Sequence, residues 1–277
     1  MRKIIVPTDF SENAAKALNY AIVVANATGA ALHVIHTIHT RGSAGHFLSI
    51  DDIIMKERET ELAAVVKNIT PQLNEKVVLT HSVRQGYVVD AILASAENVG
   101  ADTIIMGTQG ASGLKRWVLG STTVDLLKNT KLTVLVVPNE FKSTEINRLA
   151  LAVDASRLKD VAVLQPMLLL AQKFKMELNL LHISKDEKTI TDIDSLLHQH
   201  LQELGMQYVA HRITSTDVEQ AIKDFVANHK INLLCVLNQS EKRSWVENLF
   251  HLSITKEMAY ETEVPLLVLT LPAEVEA

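Results

Sequence analysis

Residues 103–128 read TIIMGTQGASGLKRWVLGSTTVDLLK: an apolar run to Met106, a glycine-rich stretch, and a helical pattern opening near Gly120. Gly107, Gly110 and Gly120-Ser121 are spaced as a glycine, two residues, a glycine, nine residues and Gly-Ser. A buried strand that passes through glycines into a helix start makes a phosphate cradle. Glycines let backbone N–H groups turn toward an anion, and the helix start adds unpaired donors and partial positive charge. The segment points to a phosphorylated ligand, a nucleotide foremost.

Upstream, short Val- and Ile-rich runs alternate with helix-length amphipathic segments. Strands are expected near 3–8, 30–38, 76–83, 102–106 and 132–137, and helices near 11–27, 52–70, 86–98 and 120–129. Apolar runs of this kind suit strands buried on both faces, and the alternation implies a parallel sheet with helices on both sides. Such sheets bind ligands outside the carboxyl ends of their strands, where the strand order reverses. Asp9 and Gly107 both follow strands at that end, so the two segments can share one crevice.

The chain is duplicated. RKIIVPTD (2–9) matches RLALAVDA (148–155), each an apolar run ending near an acid, Asp9 and Asp154. ALHVIHTI (31–38) matches LNLLHIS (178–184), pairing His36 with His182. ADTIIMG (101–107) matches INLLCVLN (231–238), and TKLTVLVV (130–137) matches TEVPLLVL (262–269). A domain-sized repeat makes two domains, 1–140 and 147–277, joined through the polar stretch NEFKSTEIN (139–147). The first half carries a longer insertion between residues 39 and 75, whose polar start (39–51) is a candidate lid.

Composition narrows the function classes. The net charge is −5 with no basic tract, which argues against nucleic acid. No run reaches the roughly 18 apolar residues of a membrane span. The opening MRKIIVPTDF lacks a signal-peptide pattern and Cys235 is the single cysteine, so a reducing cytoplasm is expected. Residues 1–145 carry 14 basic and 14 acidic side chains, so the whole excess of acid lies in the second half.

With the glycine spacing, the opening IIVPTDFSENA and the strand endings ALHVIHTI and LTVLVVP on the page, the chain resembles a tandem universal stress protein. The likeness is strong over 1–138 and weaker over 148–272. It implies two tandem five-stranded parallel α/β domains, Rossmann-like with strand order 3-2-1-4-5, packed as a pseudo-dimer. It also implies an ATP site in the first half. There Gly107, Gly110, Gly120, Ser121 and Thr122 hold phosphates, Pro7, Thr8 and Asp9 line the nucleoside side, Thr37 lies near adenine, and Met106 lies beside base or ribose. Asp9 cannot favour phosphate directly; it accepts from a ribose hydroxyl or helps hold a magnesium water.

By the same spacing, the second half replaces Gly107 with Asn238, Gly110 with Glu241, Gly120 with His251 and Ser121 with Leu252. At an effective dielectric near 20, a carboxylate about 4 Å from phosphate costs roughly 4 kcal/mol per unit charge. One ATP per chain is therefore expected. Among plainer readings, the glycines merely make a tight connection, Asp9 or Ser11 caps a helix, and Lys115 and Arg116 are solvated loop charges. The eleven histidines form no metal signature, and Cys235 reads as an inert core residue. Trp117 and Trp245 fall at analogous loop positions and suit packing better than base stacking.

The P-loop, the dinucleotide fingerprint and the G-x-S-x-G elbow are all missing. The expectation is a cytoplasmic stress-response protein that binds ATP with magnesium and acts as a nucleotide-dependent switch or adaptor toward an unidentified protein partner. No dedicated base, arginine finger or lysine clamp is visible, so any ATP hydrolysis would be slow. The competing readings are an ATP-independent scaffold with a vestigial site and a slow ATPase or phosphotransferase. Dimerisation of whole chains through the final strands stays open.

Overall fold

The computed structural model describes residues 1–39, 50–108, 120–139, 141, 146–152, 160–184, 195–239 and 264–271. They fall into two compact units, the first ending at Asn139 and the second taking the described residues after it. The first unit runs β1 (Lys3–Thr8), α1 (Glu12–Thr28), β2 (Ala31–Ile38), α2 (Ile50–Ile69), β3 (Leu79–Gln85), α3 (Val88–Val99), β4 (Thr103–Gly107), α4 (Ser121–Asn129) and β5 (Thr133–Val137). Its strands lie in the order β3-β2-β1-β4-β5, with neighbours parallel.

The second unit repeats the plan with β6 (Arg148–Ala152), α5 (Gln165–Lys173), β7 (Glu177–Ser184), α6 (Ser195–Glu203), β8 (Tyr208–Thr214), α7 (Val218–Asn228), β9 (Leu233–Gln239) and β10 (Leu266–Leu271). Its order, β8-β7-β6-β9-β10, is the same 3-2-1-4-5 arrangement. The parallel α/β class expected from the sequence is the class of both units. Among the described residues, no helix is long and apolar enough to cross a membrane.

Burial explains the strands. Ile4, Ile5 and Val6 are consecutive and all fully buried, which happens only when helices cover both faces of a strand. Each such side chain contributes about 1.5–3 kcal/mol of burial. Helix α1 presents Ala14, Ala17, Leu18, Ala21 and Ala25 as one buried stripe at helical spacing. Ser11 begins it, its hydroxyl accepting the Ala14 N–H at 3.2 Å, and Gly29 ends it in the left-handed region at φ 76°.

Two of the boundaries that differ from the sequence reading have a local cause. Strand β3 begins at Leu79 rather than near 76, because the Val77 N–H closes a turn onto the Asn74 carbonyl at 2.9 Å. Helix α3 begins at Val88 rather than 86, since Gly86 sits at φ 145°, outside helical geometry.

One polar group is set into the sheet. His33 of β2 is 4% exposed, with Nδ1 2.8 Å from Thr80 Oγ1 and Nε2 3.0 Å from Ser82 Oγ, both on β3. Burial, then the charges of Arg84, Lys3 and His81, push its pKa down to about 4. The unfolded value is near 6.5, so between those limits the unfolded chain binds the extra proton. Stability from this site is full above pH 6.5 and is lost as pH falls through the window to 4. Discounted for the solvent at the β3 edge, the loss is roughly 2 kcal/mol. Calorimetric scans between pH 7 and 4 are expected to show that step in the parent chain and its disappearance in His33→Asn.

Candidate functional site

The site begins where β1 leaves the sheet. Pairing of β1 with β2 runs through Pro7 and Thr8, whereas its pairing with β4 covers Ile4 and Ile5. Pro7, which has no N–H, thus lies beyond the stretch paired to β4, where a missing donor breaks no ladder bond. From β1 the chain crosses to β2 on one side, and from β4 it crosses to β5 on the other. The strand order therefore reverses between β1 and β4, and a ligand crevice opens at their carboxyl ends.

The four residues that follow are tightly organised. The Thr8 hydroxyl accepts the Phe10 N–H at 3.1 Å, and Asp9 Oδ1 accepts the Ser11 N–H at 3.1 Å. Phe10 takes φ 63°, a left-handed conformation that costs a non-glycine residue about 1–2 kcal/mol. Its ring packs against His36 in a tilted arrangement, centroids 4.4 Å apart, and His36 Nδ1 lies 2.7 Å from the Thr8 carbonyl oxygen. Capping of α1 falls to Ser11, and Asp9 makes the turn before it while staying exposed.

On the β4 side, Met106 is buried and Gly107 half-buried at the strand end. A Cβ on Gly107 would lie 2.7 Å from Asn13 Cγ and 3.2 Å from the Asn13 carbonyl oxygen. The first glycine of the motif is thus required by the approach of α1. Asn13 is itself buried, and its Nδ2 donates to the Val137 carbonyl at 3.3 Å. The Thr108 N–H bonds the Val137 carbonyl at 3.2 Å, and the Gly120 N–H returns to the Thr108 carbonyl at 2.6 Å. Thr123 Oγ1 donates to the Gly107 carbonyl at 3.2 Å and pins the first turn of α4 to the end of β4.

Gly120 precedes α4 in extended conformation, φ −60° and ψ 152°, open to any residue, and no side chain caps the helix. The N–H groups of Ser121 and Thr122 have no acceptor among the described residues, as the first turn of an uncapped helix dictates. Ser121 is exposed and Thr122 half-buried, so donors and hydroxyls open an anion-binding helix start. Gly120 contributes closeness of approach, because its own N–H already serves Thr108.

The structure brings Pro7, Thr8, Asp9, Met106, Gly107, Gly120, Ser121 and Thr122 to neighbouring strand ends of one unit. Thr37, half-buried, stands one residue beyond the Thr8–His36 register on β2. Gly110, Lys115, Arg116, Trp117 and Trp245 lie outside the described residues, as do Asp154, Glu241, His251 and Leu252. Asn238, the counterpart of Gly107, is buried at the end of β9.

Sequence reading passed over Asn13, Phe10 and Thr123 as parts of this site. The signal for Asn13 was available: it lies four residues before Ala17, so its helical position falls on the apolar face.

The first 138 residues match a family model described as the universal stress protein family. Universal stress protein MJ0531 of Methanocaldococcus jannaschii is 30% identical over 142 residues, covering 49% of this chain and 81% of that protein. Universal stress protein MJ0577 of the same organism is 32% identical over 155 residues, covering 49% and 94%. In fold, a universal stress protein from Archaeoglobus fulgidus superposes with TM-score 0.76 at 20% identity, over 97% of this chain and 98% of that one. The sequence match of half a chain and the fold match of nearly all of it lead to one conclusion. The chain belongs to the universal stress protein family as a two-unit member.

Proposed function

We propose that the first unit binds one ATP per chain and that the protein acts as a nucleotide-dependent switch or adaptor in a cytoplasmic stress response. The observation that carries this reading is the uncapped start of α4 behind Gly120, beside the Thr8–Asp9 end of β1. Phosphates would take the N–H groups and hydroxyls of Ser121 and Thr122, with Gly107, Gly110 and Gly120 keeping Cβ atoms out of the way. Pro7, Thr8 and Asp9 would line the nucleoside, Thr37 the adenine end, and Met106 the base or ribose. Asp9 would be the protein's oxygen toward magnesium or the ribose hydroxyls.

The second unit fits such a ligand poorly. By sequence spacing, Asn238, Glu241, His251 and Leu252, one of them negative, replace the glycines and serine of the first unit's motif. A switch needs a partner that distinguishes the bound and free states, because ATP shifts an equilibrium only by its differential affinity. Calorimetric titration of nucleotide-stripped protein with Mg-ATP tests the reading, and one site per chain is expected. Two sites would overturn the account of the second unit. Silence would leave a scaffold whose glycines serve packing, as Gly107 already does against Asn13.

A further inference from the structure

We infer that His36 is a positioning residue for the nucleoside side of the site, acting through Thr8 and Asp9. The inference rests on the nucleotide reading above. Only 9% exposed, His36 stands opposite Thr8 in the β1–β2 register. Its Nδ1 lies 2.7 Å from the Thr8 carbonyl oxygen, which can only accept, so Nδ1 carries the proton. The peptide after Thr8 is planar and trans, so fixing its carbonyl fixes the plane and turns the Asp9 amide away from His36.

The same ring supports the strained residue that follows. Phe10 at φ 63° packs its ring, tilted, against His36 at 4.4 Å between centroids, while its N–H is held by the Thr8 hydroxyl and Asp9 Oδ1 holds Ser11. A left-handed phenylalanine persists only where its surroundings over-determine it, and His36, from the neighbouring strand, contacts both Thr8 and Phe10. The effect is to hold the Asp9 carboxylate at the crevice before any ligand arrives, which lowers the ordering cost of binding.

Two substitutions separate positioning from bulk. His36→Asn places an amide N–H near the Nδ1 position, and His36→Leu removes the donor. Full-length protein would be titrated with Mg-ATP and with inorganic tripolyphosphate. His36→Leu is expected to weaken ATP about 10-fold, the size of one lost hydrogen bond, and to change tripolyphosphate by less than about 2-fold. His36→Asn is expected to stay within about 3-fold of the parent for ATP.

Parent-like ATP binding by His36→Leu overturns the proposal. So does a parallel loss of tripolyphosphate, which would mean general loosening, and so does His36→Asn binding as weakly as His36→Leu. If the parent chain binds no ATP, the nucleotide reading falls by itself, and amide exchange at Phe10 and Ser11 decides the positioning role. Exchange about 10-fold faster in His36→Leu and restored in His36→Asn supports it; unchanged exchange refutes it.

Discussion

Replacing Gly120 with aspartate is expected to abolish ATP binding while leaving α4 folded. Gly120 sits at φ −60° and ψ 152°, so no left-handed backbone demands glycine there. Its N–H bond to Thr108 is a main-chain contact that any residue but proline retains. Aspartate is also a preferred residue at this position of a helix, since its carboxylate accepts the N–H groups of the first turn. Those are the donors assigned to phosphate, so the new side chain would occupy the ligand's place and add a negative charge.

At about 4 Å and an effective dielectric near 20, the repulsion alone is roughly 4 kcal/mol per unit charge, close to a thousandfold in affinity. Gly120→Asn caps the helix without the charge, so the difference between the two variants isolates the electrostatic part. Circular dichroism and thermal melts should match the parent for both. Undiminished Mg-ATP affinity in Gly120→Asp, measured in the same calorimeter, would remove the start of α4 from the site.

The second large effect falls on stability. Gly107→Ala is expected to destabilise the first unit by about 2–3 kcal/mol, because the added Cβ overlaps Asn13 from helix α1. Asn13 cannot swing aside at no cost: it is buried, and its Nδ2 satisfies the Val137 carbonyl. Asn13→Ala in the same chain removes the side chain in the way and leaves the longer, 3.2 Å contact with the Asn13 carbonyl oxygen. The double variant should therefore be no less stable than Gly107→Ala, a coupling of about 1–2 kcal/mol in a double-mutant cycle. Urea unfolding of the four proteins measures it. Additive losses would show that Asn13 is not what excludes a side chain at Gly107.

The two glycines were indistinguishable in the sequence, where Gly107 and Gly120 are two members of one spacing. Tertiary structure separates them. A Cβ at Gly107 would run into Asn13 of helix α1, whereas the backbone of Gly120, at φ −60° and ψ 152°, is one that any residue adopts. Likewise, the sequence offered Asp9 as a cap of α1 with Ser11 able to share the task; hydrogen bonding assigns the cap to Ser11 and the preceding turn to Asp9. His36 was visible as a repeated histidine, but its work depends on Thr8 and Phe10 meeting it across two strands.

The class of fold, the duplication and the helix start after Gly120 were legible from the residues alone. Those depend on local periodicity, turn residues and burial of apolar runs, which neighbouring residues specify together. The fold as a whole was needed to show that His36 serves the Thr8 carbonyl, Asn13 the Val137 carbonyl and Gly120 the Thr108 carbonyl. Those pairings join residues far apart in the chain, and their geometry is set by how β1, β2 and β4 lie side by side.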